Sequence, residues 1–165
     1  KYFGCDKVMI CDHSDFQLNK AKELGFEICN NGKEDIKTKA LQIFGSAMSA
    51  LGETCDVDIY IDAAGADGII ETYQSMGKVN SRIVVVAVKA GLRPIDVLAM
   101  TYGQHAIIGS GGYIPEDVRD VMAIMQSRKW NIESIITDVY PWEQLTEAIE
   151  KASRVDEALN VIIHY

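Results

Sequence analysis

The chain has 165 residues, 48% of them apolar, which is enough for one domain with a buried core and too apolar for a disordered segment. Its 16 Lys and Arg against 24 Asp and Glu leave a net charge of −8, which repels phosphate backbones and anionic lipid surfaces and argues against nucleic-acid or membrane binding. The longest apolar run, Ile83 to Val88, is far short of the roughly 20 residues a spanning helix needs. Cys5, Cys11, Cys29 and Cys55 make no Cys-x-x-Cys pair and keep no regular spacing to His13, His105 or His164. Neither a zinc cluster nor a disulfide scaffold is expected, and a reducing cytoplasm fits this cysteine usage. Lys1 to Gly4 carry no signal-peptide pattern and the first residue is not Met, so the chain is expected to begin inside a longer protein.

Short β-rich apolar runs alternate with stretches of helical period, the pattern of an α/β fold with a largely parallel sheet. Lys7 to Cys11 reads as a buried strand that ends at Asp12. A helix follows, with Leu18, Ala21 and Leu24 on one face, Ser14 and Gln17 as a capping box, and Gly25 as its stop. Phe26 to Cys29 is a second strand. Ile36, Ala40, Ile43, Phe44 and Ala47 trace one face of a helix expected from Asp35 to about Leu51, with Gly45 its weak point. Val57 to Ile61 is a strand running into the glycine turn Asp62-Ala-Ala-Gly65, and Ile69, Ile70 and Tyr73 mark the next helix. Arg82 to Val88 is β-branched and apolar on both faces, as a central parallel strand should be. A short helix over Val97 to Tyr102 leads to a strand at Ala106 to Ser110, released by Gly111 and Gly112. Pro115 opens a helix with apolar Val118, Val121, Met122 and Met125, ending near Arg128 and Lys129. A strand at Ile135 to Val139, a helix opened by Pro141 with Leu145, Ala148, Ile149 and Ala152, and a strand at Leu159 to Ile163 complete the chain.

Asp12 carries the most chemical information. An acid just beyond the end of a buried parallel strand lies on the edge where open α/β sheets bind ligands, and there it can accept hydrogen bonds from a ribose. Each such charge-assisted bond contributes about 1.5 to 3 kcal/mol. A 2′-phosphate in the same place would meet a like charge at a cost of about 4 kcal/mol near 4 Å, so NAD is favoured over NADP. The alternative role for Asp12 is to start the turn before the next helix. No Gly-x-Gly-x-x-Gly turn occurs in the chain. Gly109-Ser-Gly-Gly112 lacks the Lys and Ser/Thr of a phosphate loop, and its glycines allow either close approach to a flat ligand or a tight turn. The histidines have no second ligand at metal spacing and read as surface or strand-flanking residues, and the cysteines read as packing thiols.

Taken in order, Lys7-Val-Met-Ile-Cys-Asp12 with Lys20-Ala-Lys-Glu-Leu-Gly25, Asp62-Ala-Ala-Gly65, Arg82 to Val88, Ile108-Gly-Ser-Gly-Gly-Tyr113 and Ile136-Thr137 leading to Pro141 resemble the C-terminal half of a medium-chain dehydrogenase/reductase. The resemblance is nearest to the zinc-dependent polyol, butanediol and threonine dehydrogenase branch. It implies a Rossmann-like, doubly wound parallel sheet lacking its first strand and glycine-rich turn, with a C-terminal α/β return segment. Residues 1–112 would form the partial NAD-binding domain, and residues 113–165 would return to a catalytic domain outside the chain. Asp12 would bind the adenosine ribose and Gln17 would face the adenine, where relatives often carry Arg or Lys. Ala63, Ala64 and Gly65 would line the adenosine side. The backbones of Val86, Ala87 and Val88 and of Ser110, Gly111 and Gly112 would face the nicotinamide, although relatives usually have Gly where Ala87 stands.

The implied parent is an oxidoreductase moving a hydride between a secondary alcohol or polyol and NAD, with zinc held only by residues outside this chain. No residue here is expected to be catalytic, and the isolated chain is expected to bind NAD weakly. A homo-oligomer is implied, with Leu92 to Asp96 near a dimer interface. Two readings stand beside this one: a noncatalytic nucleotide-sensing module, and a zinc-free reductase of the same superfamily. A methyltransferase is a poorer fit, because Asp62-Ala-Ala-Gly65 offers no platform for a methyl acceptor. In the doubly wound order 3-2-1-4-5-6 the absent strand would be central, so the remaining sheet is expected to be split in two.

Overall fold

The computed structural model describes residues 3–165, which form two compact units. One joins the N-terminal segment through Ile36 to Ile114–Tyr165, and the other is Lys37–Tyr113.

In the first unit, strand β1 (Met9–Asp12) pairs in parallel with β2 (Glu27–Asn30), and helix α1 (Asp15–Glu23) makes the crossover. Asp12 is thus the last residue of its strand rather than the first beyond it. Ser14 caps α1 by accepting the Gln17 N–H on its hydroxyl at 3.4 Å, Asp15 and the pair Lys20 and Lys22 suit the helix dipole, and Gly25 at φ +83° turns the chain away. Leu18 and Ala21 are buried against the two strands. The rest of this unit is a further parallel unit, β8 (Ile136–Pro141), α6 (Leu145–Ala152) and β9 (Asn160–His164). Pro141 closes β8 instead of opening α6, since its extended backbone (ψ 159°) leads into a short 3-10 turn at Trp142–Gln144. Helix α5 (Pro115–Gln126) stops before Arg128, whose φ of +49° cannot continue a helix, and the apolar row Val118, Val121, Met122 and Met125 is exposed.

In the second unit, helix α2 (Ile36–Phe44) is shorter than its apolar period suggests. Gly45 adopts φ +87°, and residues expected to continue the helix form an antiparallel hairpin of β3 (Ser46–Ser49) and β4 (Gly52–Cys55). The Ser49 hydroxyl donates to the Gly52 carbonyl and accepts the Leu51 N–H, closing the turn. Beyond it, β5 (Ile59–Asp62), α3 (Ile69–Met76), β6 (Arg82–Val85), α4 (Val97–Gly103) and β7 (Ala106–Gly109) build a three-stranded parallel sheet in the order β5-β6-β7. The strand read as central is central. The two sheets expected on either side of an absent strand are present as separate sheets, β1-β2 and β5-β6-β7.

Tyr73 on α3 anchors the second unit. It is 1% exposed, donates to the Ser81 carbonyl at 2.8 Å, and meets the Tyr60 and His105 rings at 5.0 Å each. Thr54, Cys55 and Tyr60 all reach the Met76 carbonyl at the end of α3, satisfying a group that the helix leaves unpaired. Burial raises the Tyr60 and Tyr73 hydroxyls above the ordinary phenol range, so both stay protonated donors at neutral pH.

Gly103 lies so close to the His105 ring that a Cβ there would fall 2.4 Å from Nε2. A Gly103→Ala variant is expected to lose about 1 to 3 kcal/mol through overpacking, read as a lower urea midpoint with an unchanged slope.

Candidate functional site

At the C-terminal edge of β5-β6-β7, one residue joins two of the segments singled out in the sequence, and a backbone bond adds a third. The Asp62 carboxylate, in a side chain only 6% exposed, accepts the N–H groups of Ala64 at 3.1 Å and Gly65 at 2.7 Å. Its backbone carbonyl accepts those of Val86 at 2.9 Å and Ala87 at 3.0 Å. Asp62 therefore turns the chain after β5 and ties that turn to the segment leaving β6. Gly65, at φ +65°, approaches so closely that a Cβ there would stand 3.1 Å from the Ala87 methyl and 3.4 Å from Lys89 Cβ. The Ser110 N–H donates to the Val85 carbonyl at 2.9 Å and brings the third segment alongside. Ala63 to Gly65, Val86 to Val88 and Ser110 are thus neighbours at one sheet edge.

Strand β6 stops at Val85, so Val86 to Val88 are loop and not strand, and Val88 is fully exposed. Gly111 and Gly112 follow the end of β7, and added Cβ atoms at these positions would meet nothing within 4 Å. Gly112 has φ +74°. Below this edge Asp67 pairs with Lys89 at 3.1 Å and Arg93 at 3.2 Å, joining the loops after β5 and β6. The Lys89 hydrogen bond, supported by the charge of Arg93, holds the Asp67 carboxyl below its ordinary range.

In the first unit, Asp12 ends β1 with one carboxylate oxygen accepting the Ser14 N–H at 2.8 Å. Its other oxygen has no hydrogen-bonding partner among the described residues, so starting the turn occupies one of the two carboxylate oxygens. Gln17 behaves differently from the expected capping box. Only its backbone N–H serves the cap, while its amide Nε2 donates to the Val155 carbonyl at 3.3 Å, which also receives the Ser14 hydroxyl. Beside Asp12, Asn30 donates to the His13 carbonyl at 3.1 Å and to Asp15 at 2.6 Å, and Lys33 pairs with Asp15. The Lys33 and Asn30 hydrogen bonds lower the Asp15 carboxyl. Among the described residues no three His, Cys, Asp or Glu side chains are grouped to hold a metal ion, so the donors here do not fit zinc.

Residues 1–127 match the family model described as zinc-binding dehydrogenase. The chain belongs to the zinc-binding dehydrogenases. It is 24% identical over 148 residues to sorbitol dehydrogenase 1 of Saccharomyces cerevisiae, covering 90% of this chain and 41% of that enzyme. Sorbitol dehydrogenase of Ovis aries is 25% identical over 158 residues, with 93% and 42% covered. The chain therefore spans about two-fifths of the length of these relatives. Among solved structures, 2R,3R-butanediol dehydrogenase from Bacillus subtilis superposes with a TM-score of 0.82 at 15% identity, over 98% of this chain and 44% of that one. An alcohol dehydrogenase from Escherichia coli CFT073, described as complexed with cofactor NADH, gives 0.80 at 18% identity over 97% and 45%. The fold is the Rossmann-like α/β fold of these dehydrogenases, as the sequence resemblance implied.

Asp62 was not among the residues the sequence marked as binding. Its signal was present, because an acid at a strand end before Ala-Ala-Gly is an Asx turn in pattern. Asp62→Ala leaves two N–H groups without their acceptor and is expected to cost about 1 to 3 kcal/mol in chemical denaturation, whereas Asp62→Asn, which keeps the accepting oxygen, should lose much less.

Proposed function

We propose that this zinc-binding dehydrogenase chain is the coenzyme-binding part of an NAD-dependent oxidoreductase that oxidises a secondary alcohol or polyol by hydride transfer. The observation that carries the reading is the Asp12 carboxylate, held at the end of a parallel strand by Ser14 and keeping one oxygen open. That oxygen accepts from the adenosine ribose. Its negative charge disfavours the 2′-phosphate of NADP, by about 4 kcal/mol for charges near 4 Å at an effective dielectric of 20.

The remaining roles follow from the family pattern, supported by the neighbouring loops at the β5-β6-β7 edge. Ala63, Ala64 and Gly65 line the adenosine side, and Gln17, although bonded to Val155, stands in the first turn of the helix that follows the ribose acid. The backbones of Val86, Ala87 and Val88 and of Ser110, Gly111 and Gly112 hold the nicotinamide, the last two glycines leaving open space for a flat ring. When bound, NAD supplies the hydride acceptor. This chain's part is to bind and orient it, and zinc is held by residues beyond the chain.

Residues 1–112 are read as the coenzyme domain and residues 113–165 as the segment that packs on the catalytic domain. The exposed apolar Leu92 and Ile95 support a self-association surface at Leu92 to Asp96 in a homo-oligomer. The polyol substrate class rests on the names of the relatives, sorbitol and butanediol dehydrogenases. Cys5, Cys11, Cys29 and Cys55 are thiols rather than disulfides, which supports a cytoplasmic setting. No helix among the described residues is long and apolar enough to cross a membrane.

Steady-state kinetics of the full-length protein with NAD and a panel of polyols provide the test. Asp12→Ala should raise KM for NAD about 10- to 150-fold, the equivalent of one lost charge-assisted bond, while narrowing the preference over NADP. Unchanged coenzyme kinetics in that variant would overturn the assignment.

A further inference from the structure

The register of β1 and β2 places two thiols opposite one another. Cys11 pairs with Cys29 between parallel strands, so both side chains leave the same face of the sheet, and the Cys29 thiol is among the neighbours that raise the Cys11 thiol. Adjacent strands lie about 4.8 Å apart, inside the roughly 4.4 to 6.8 Å of Cα separation that a disulfide bridges. Cys29 is fully buried and Cys11 partly exposed, so an oxidant reaches Cys11 first and Cys29 waits behind it. The next residues in each strand are Asp12 and Asn30, and Asn30 holds the His13 carbonyl and Asp15. Nothing in the expected chemistry of the site uses either sulfur.

We propose that Cys11 and Cys29 form a reversible disulfide on oxidation by a hydroperoxide, and that this bond lowers the affinity of the Asp12 site for coenzyme. The Cys11 thiolate attacks the distal peroxide oxygen; an S–O bond forms as the O–O bond breaks, and water, or an alcohol from an organic hydroperoxide, leaves with the proton. The Cys29 thiolate then attacks the resulting sulfenic sulfur, forming S–S as S–O breaks, and a second water departs. Two thiols lose two electrons and the peroxide gains them. A thiol reductant returns the pair by exchange.

Burial first, then the neighbouring Cys29 and Asp12, push the Cys11 thiol up to about 12. Little thiolate exists at neutral pH, so the pair resists brief oxidant exposure and responds to sustained exposure. Closing the bond fixes the Cβ atoms at about 3.8 Å and locks together the two strand ends that carry Asp12 and Asn30. Binding constellations tolerate only about 0.5 Å, so an Asp12 held in the geometry of the locked strand ends binds ribose less well. The effect on affinity rests on Asp12 as the ribose ligand; formation of the bond does not.

The test uses the full-length protein carrying Cys5→Ser, which removes an exposed competing thiol. After peroxide treatment and alkylation, trypsin releases Cys11 in residues 8–20 and Cys29 in residues 23–33. The expected product is these two peptides joined, lighter by two hydrogens than their sum and separated by dithiothreitol. Calorimetry should show NAD binding weakened about tenfold after oxidation and restored by the reductant, with no such change in a Cys29→Ala variant. Absence of the linked pair overturns the proposal, and a linked pair with unchanged NAD affinity overturns its coupling to the site. Failure of the reduced protein to bind NAD would instead defeat the functional reading, leaving the peptide map to decide the disulfide.

Discussion

Parallel strands end with their last peptide groups unpaired on one side, and the chain must satisfy these groups while leaving room for a ligand. Asp62 meets that constraint with both of its acceptors. Its carboxylate takes the N–H groups of the turn that follows β5, and its carbonyl takes two from the segment that leaves β6. Loops that would otherwise splay are held in register with each other, so their backbones form a fixed rim. The same solution appears at the end of β1, where one oxygen of Asp12 fixes the turn into α1 through Ser14. The two acids differ in what remains: Asp62 is buried and committed to the fold, while Asp12 keeps one oxygen without a hydrogen-bonding partner among the described residues.

Much of the fold was legible because period and punctuation agreed. Leu18 and Ala21 lie on the buried face of α1, Gly25 ends it, and Ile83 sits in the core of the middle strand. Where the reading failed, a backbone preference overrode the apolar period. Ala47 continues the spacing of Ile36, Ala40 and Ile43, yet Gly45 in the left-handed region turns the chain into a hairpin. Pro141 suits a helix start, but it serves equally well as the last residue of an extended strand, and local sequence does not distinguish the two.

The site was legible in part. Ala63 to Gly65, Val86 to Val88 and Ser110 were marked as separate stretches, and the hydrogen bonds that join them run through atoms of the backbone, which carry no sequence signature. Gln17 was identified as a residue facing coenzyme, but its bond to Val155 depends on a partner 138 residues away. The meeting of Cys11 and Cys29 is a matter of strand register, and register is invisible until both strands are paired.

The contact between Gly65 and Ala87 ties the histories of two positions. Because a methyl at 65 would stand 3.1 Å from the methyl already at 87, a side chain there requires its neighbour to give by a few tenths of an ångström. With glycine at 87 a side chain at 65 is limited by the torsion of that turn, whereas with alanine at 87 it is crowded as well. Substitutions at the two positions should therefore be read jointly, since the volume available to either is set by its neighbour.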